Sequence, residues 1–185
     1  MEELKTRKTP RYQIFDYNNV GVYFITICTK NRRHILSRIV GTGVPDCPQK
    51  IGNNPYKVEL TAYGEIVDGY IKRLSDFYNH ISVEKYVIMP NHIHLLLWVK
   101  SDKRTANGGQ SRTPVPTKVE RSNSTCSQFV STFKRFCNKE CGENIWQARY
   151  YDHIIRNDDD CREHVKYINE NPINWHYDEL YSEYL

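Results

Sequence analysis

The chain reads as an α+β protein in which helices pack against a mostly antiparallel sheet. Three features carry that expectation. Val22 to Thr29, VYFITICT, is dense in β-branched and aromatic residues, the composition of a buried strand. Ser82 to Met89 and His92 to Lys100 form two more strand-like runs, separated only by Pro90-Asn91, a pair suited to a tight turn, which predicts a β-hairpin. Between them Ile66, Val67, Tyr70, Ile71, Leu74 and Phe77 recur at three- and four-residue steps, one apolar face of a helix over 61–78.

The remaining elements follow from the same rules. Gly41 to Tyr56 is crowded with Gly, Pro and Asn and predicts an exposed loop. Ser101 to Asn123 mixes Gly, Pro, Ser and cations without periodicity, as a mobile linker does. A helix from about Ser124 to Lys139 is expected to bury Phe129, Val130, Phe133 and Phe136 while Lys134, Arg135 and Lys139 stay solvated. Trp146 to Asn157 contains another strand. Asp158 then offers an N-cap, acidic residues fill a first turn, and Pro172 closes a helix over roughly 159–171.

At 185 residues the chain fits a single domain spanning 1–185. A net charge of +4 permits a nucleic-acid partner without requiring one. No stretch approaches the ~20 consecutive apolar residues of a membrane span, and the charged start, MEELKTRKTPRYQ, lacks the apolar core of a secretory signal, so a cytoplasmic address is expected. The six cysteines have no Cys-x-x-Cys spacing, which argues against a zinc knuckle or a disulfide scaffold.

The chemistry-bearing stretch is MPNHIHLLLWV, Met89 to Val99. Side chains alternate faces along a strand, so His92 and His94 point the same way and Ile93 the other. A histidine in a strand is ordinarily a hydrogen-bonded core residue. Two on one face repel when both are protonated, so the arrangement favours neutral imidazoles, the form that binds a cation. Imidazole suits borderline divalent ions such as Mn²⁺, with a third, oxygen donor to be expected.

In the last helix, CREHVKYINENP, Tyr167 and Asn171 share a face with Glu163 one turn earlier. Val165 and Ile168 can anchor the helix to the sheet. A tyrosine held over a two-histidine metal site can attack a phosphodiester and form a covalent phosphotyrosine. With fourteen tyrosines in the chain, Tyr150 and Tyr151 are rivals on the same reasoning, and packing is the plainer role for any of them. Asn171 also reads as a helix C-cap before proline.

Three blocks, MPNHIHLLL, WQARYYDHIIRN and HVKYINENPINW, together resemble the single-tyrosine HUH transposases, specifically the REP-associated tyrosine transposases. GVYFITICTKNRR and VELTAYGEIV extend the likeness from about Arg11 to Tyr177, except for the loops about 41–56 and 101–123. The resemblance implies a ferredoxin-like, palm-type antiparallel sheet of the HUH endonuclease kind. His92 and His94 match the metal ligands, Asn171 the position that can complete the metal sphere, and Tyr167 the nucleophile. The implied activity cuts and rejoins single-stranded DNA beside REP-like hairpins through a 5′-phosphotyrosine, using Mg²⁺ or Mn²⁺, as a monomer or homodimer.

Phosphate contacts are expected from Arg11 in the N-terminal arm and from Arg149 and Arg156 flanking the strand before the last helix. Tyr12, Tyr17 and Tyr150 could stack unpaired bases. His153 reads as a buried hydrogen-bonding residue. Two other outcomes stay open: a domesticated module that binds structured single-stranded nucleic acid without turnover, and a metal phosphodiesterase that uses water.

Overall fold

A computed structural model of the protein describes residues 20–41, 56–100 and 125–182. Arg11, Tyr12, Tyr17, positions 42–55 of the predicted loop and the predicted linker all fall outside these residues.

Strand β1 (Gly21–Cys28) is followed by a 3-10 turn at Lys30–Arg32, then by β2 (Ser37–Gly41) and β3 (Tyr56–Leu60). Helix α1 (Ala62–Phe77) leads into the hairpin β4 (Ile81–Ile88) and β5 (His92–Val99). Helix α2 (Thr125–Cys141), β6 (Tyr151–Ile155) and α3 (Asp158–Glu170) complete the order. β4, β5, β1 and β6 form one sheet in that spatial order, antiparallel throughout, as the sequence predicts. The β2–β3 pair is a separate ribbon that sequence patterning did not reveal. Its strands SRIVG and YKVEL each offer only five residues, too short a window for the alternation to stand out beside a Gly- and Pro-rich segment.

Register sorts the sheet into two faces. On β1 and β5, Tyr23, Ile25, Ile27, Ile93, Leu95, Leu97 and Val99 enter the main core, where they meet Val67, Ile71 and Leu74 of α1 and Phe129, Val130 and Phe133 of α2. The alternate residues face α3. There the ladder sets Phe24 opposite Leu96, Thr26 opposite His94 and Cys28 opposite His92. The pleat thus dedicates one face to the core and the other to polar chemistry.

Helix α3 is held more lightly. Its buried apolar anchor is Ile168, packed with Phe24 and Leu96 and flanked by Val165 and Cys161. Burying one such side chain contributes only about 1.5–3 kcal/mol. Its N-cap is Asn157, one residue before the expected Asp158: the Asn157 side chain accepts from the Asp160 amide at 2.9 Å, and three aspartates occupy the first turn. Asn171 is the C-cap, its amide donating to the Tyr167 carbonyl at 2.9 Å before Pro172.

Candidate metal centre

His92 and His94 are both buried, at 0% and 2% exposure, with ring centroids 4.5 Å apart. Their Nδ1 atoms are committed. Asn91 donates from Nδ2 to the Leu180 carbonyl at 2.8 Å, which turns its Oδ1 toward His92 Nδ1, also at 2.8 Å. That oxygen can only accept, so Nδ1 carries the proton and Nε2 keeps its lone pair. His94 Nδ1 lies 2.9 Å from Thr26 Oγ1, its partner across the ladder. Both Nε2 atoms are then buried without a hydrogen-bond partner, and so is Oδ1 of Asn171. Unsatisfied buried polar atoms are costly, and these three lone-pair donors are left available to a ligand.

Electrostatics agrees with neutral rings. Burial pushes His92 down to about 3, aided by Arg32, while the Asn171 amide opposes the shift slightly without giving either Nε2 or Oδ1 a well-formed hydrogen bond. Burial, then the His92 charge, holds His94 well below its ordinary value. Neighbouring imidazoles that stay neutral and have ligating nitrogens within 4.8 Å of each other fit a divalent cation.

An acidic residue that no periodicity in the sequence marks, Asp178, joins the two histidines. Asp178 brings a carboxylate oxygen within 4.8 Å of ligating nitrogens of both histidines. Its Oδ2 accepts from Asn171 Nδ2 at 2.5 Å and from the Tyr167 hydroxyl at 3.0 Å, and its Oδ1 accepts from the Leu180 amide at 2.6 Å. The donors available to an ion are therefore Nε2 of His92 and His94 with oxygens from Asp178 and Asn171. A lone Asp in NWHYDEL carries no periodic or spacing signal, which is why it was not legible.

Tyr167 reaches the same place from α3. Its ring centroid lies 5.0 Å from that of His94 and 6.0 Å from that of Phe24. Burial raises the phenol pKa, and the charge and hydrogen bond of Asp178 raise it further. A cavity of about 720 Å³ opens beside the site, lined among others by Arg32, His94, Arg149, Tyr151 and Tyr167.

The predicted residues thus separate. His92, His94, Asn171 and Tyr167 come together, and Arg149 lines the cavity. Arg156 follows the far end of β6, where Ile155 pairs with Val22, whereas Tyr151 at the near end pairs with Thr26. Tyr150 also lines the cavity, but its hydroxyl is engaged with Ser127 Oγ at 2.9 Å. Lys134 is not solvated, contrary to expectation. Its Nζ donates to the carbonyls of Gln147, Ala148 and Arg149 at 2.7, 3.3 and 3.1 Å, and burial pulls the ammonium down to about 8. It thereby fixes one wall of the cavity. Arg32 is a further cation that went unread. It lines the cavity from a turn where Asn31 and Arg32 adopt φ of 57° and 56°, a strained setting of the kind that clusters at functional sites.

Fold and site together define an antiparallel-sheet protein with a candidate two-histidine metal centre beneath a tyrosine-bearing helix. Comparison with known proteins adds a likeness in sequence and in fold. A protein of Escherichia coli K12 named REP-associated tyrosine transposase is 29% identical over 158 residues, covering 85% of this chain and 69% of that protein. An uncharacterized protein of Haemophilus influenzae is 26% identical over 187 residues, covering 96% of this chain and 94% of its own length. No protein-family model matches. The solved structure of a REP-associated tyrosine transposase bound to a REP hairpin has the same fold, with a TM-score of 0.57 at 20% identity over 94% of this chain and 77% of that one. The chain is similar to REP-associated tyrosine transposases in sequence and in fold. Among the described residues, no helix is long and apolar enough to cross a membrane.

Proposed function

We propose that this chain is a metal-dependent endonuclease and strand transferase for single-stranded DNA next to hairpins, with Tyr167 as nucleophile. One observation carries the reading: the partnerless Nε2 atoms of His92 and His94 lie beneath a tyrosine whose ring is 5.0 Å from His94. The transposase relative and the hairpin-bound fold neighbour support the substrate class.

Mg²⁺ or Mn²⁺ bound by His92, His94 and an oxygen of Asp178 or Asn171 would withdraw charge from the scissile phosphate. Asp178 orients the Tyr167 hydroxyl and stands ready to take its proton. The phenolate oxygen attacks phosphorus in line, the bond from phosphorus to the 3′ oxygen breaks, and that oxygen takes up a proton, from Asp178 or from water, to leave as a 3′-OH. The 5′-phosphotyrosine conserves the energy of the broken bond, so rejoining needs no nucleotide cofactor. Arg149 and Arg32 in the cavity wall bind backbone phosphates, with Arg156 as an outlying contact, and Arg11, outside the described residues, remains a candidate from the sequence alone. The reading admits either a monomer or a homodimer.

The test is incubation with a labelled single-stranded hairpin and Mn²⁺, followed by denaturing electrophoresis. A covalent protein–DNA species is expected, lost in Tyr167→Phe and retained in Tyr150→Phe and Tyr151→Phe. An adduct that survives Tyr167→Phe overturns the assignment. Cleavage without adduct would identify water as nucleophile, and binding without cleavage would identify a module that no longer turns over.

A further inference from the structure

On the α3 face of the sheet, across β1 from His94, two other imidazoles meet a carboxylate. His153 stands on β6 opposite Phe24, and Asp160 and His164 lie four residues apart at the start of α3. His153 Nε2 is 3.0 Å from both carboxylate oxygens of Asp160, and His164 Nδ1 is 3.0 Å from Oδ1. The two rings stack with centroids 4.7 Å apart and planes 15° from parallel. One ligating atom from each of the three residues lies within 4.8 Å of the others.

We propose that His153, Asp160 and His164 form a second divalent-cation site, suited to a transition metal such as Zn²⁺, that fastens α3 to β6. The donor set is the first reason. Two imidazole nitrogens and one carboxylate oxygen are a donor set that borderline ions such as Zn²⁺ favour. The second is preorganisation. The Arg156 amide donates to Asp160 Oδ2 at 2.9 Å, and the Asn157 cap holds the Asp160 backbone, so the carboxylate is already fixed in place. Side-chain exposures of 27%, 16% and 22% for His153, Asp160 and His164 mean that little ordering remains to be done.

The third reason is spacing. With bonds of ~2.0 Å, ligand atoms around a tetrahedral zinc sit about 3.3 Å apart, so the 3.0 Å contacts need to open by only tenths of an ångström. Binding replaces two N–H donations to the carboxylate with two dative bonds and displaces the 2.8 Å contact from His164 Nδ1 to the Asp160 carbonyl. The structural gain falls where α3 is weakest. Its apolar hold rests on Ile168 with Phe24 and Leu96, and His164 is one turn before Tyr167. An ion here would restrain the helix that carries the tyrosine, and its binding is independent of any DNA chemistry.

Calorimetry and equilibrium dialysis of the full chain with Zn²⁺, without DNA, test this. The double variant His92→Ala/His94→Ala should retain one Zn²⁺ per chain, raise its melting temperature on binding, and give tetrahedral Co²⁺ absorption. Adding His153→Gln should abolish all three signals, and adding Asp160→Asn instead should do the same, with circular dichroism confirming that each variant is folded. Absence of stoichiometric Zn²⁺ in the double variant overturns the proposal. So does binding that neither His153→Gln nor Asp160→Asn weakens.

Discussion

The Oγ1 of Thr26 and the Nδ1 of His94 are 2.9 Å apart across the ladder between β1 and β5. The contact fixes which ring nitrogen of His94 turns toward the site, the service that outer partners render to metal-binding histidines. Thr26→Val keeps the shape and removes the hydroxyl. Mn²⁺ affinity is expected to fall by ~10–100-fold with the fold intact, measured by calorimetry on the metal-free protein. Unchanged affinity would mean that the ring is positioned by packing against Phe24, His92 and Tyr167 without the hydroxyl.

What was legible follows from periodicity. The 2.0 period of a strand put His92 and His94 on one face, and the 3.6 period of α3 put Tyr167 and Asn171 on another, but it was the resemblance to the HUH transposases, not spacing, that joined the two faces into one site. Asp178, Arg32 and Lys134 were not legible, because each acts from an irregular segment or through a contact set by tertiary packing. Lys134 shows the limit most clearly: a cation on the predicted polar stripe of α2 turns out to tie down three carbonyls of the segment after it. Conversely, Asn171 fills both of its expected places, as C-cap and as a neighbour of the histidines.

Acid should destabilise the metal-free protein before most carboxylates titrate. The folded-state value of His92 is about 3, set chiefly by burial, against an ordinary 6.5 in the unfolded chain. Between those values the unfolded chain binds a proton that the native state refuses, so stability declines as pH falls through that window. His94 shifts in the same direction and adds to the slope. Each contributes about 1.4 kcal/mol per pH unit at most. Urea unfolding in a chelator between about pH 6.5 and 5 should show this decline, and His92→Asn should flatten it. A stability that does not change over the interval contradicts neutral burial.

Gly64 should resist the substitution that normally strengthens a helix. Replacing glycine by alanine inside a helix gains up to about 1 kcal/mol. Here a Cβ would meet the Leu36 carbonyl oxygen at 2.0 Å, and that oxygen already accepts from the Thr61 amide and hydroxyl at 3.0 and 3.1 Å. The obstacle is backbone and is held on both sides. Gly64→Ala is expected to cost about 1–3 kcal/mol by chemical denaturation. A stabilised variant would mean that α1 and the segment before β2 do not approach this closely.

Asp178 joins the two halves of the proposed chemistry, and Asp178→Asn should affect both. Its carboxylate holds the Tyr167 hydroxyl at 3.0 Å and, after burial, is the largest cause of the raised phenol pKa. A neutral amide removes the charge that opposes phenolate, so the phenol should titrate at lower pH. Ring-labelled tyrosine resonances in the metal-free protein, assigned by their loss in Tyr167→Phe, would follow that shift. The same substitution removes the one carboxylate that, among the described residues, groups with His92 and His94, so Mn²⁺ affinity should fall as well. The two readouts separate the roles. A shifted titration with unchanged Mn²⁺ binding would make Asp178 a positioning residue for Tyr167 and leave the oxygen position on the metal to Asn171, whose Oδ1 is buried without a partner. If the phenol titration did not move, the pairing of Tyr167 with Asp178 would not persist in solution, and the phenol proton would need another acceptor.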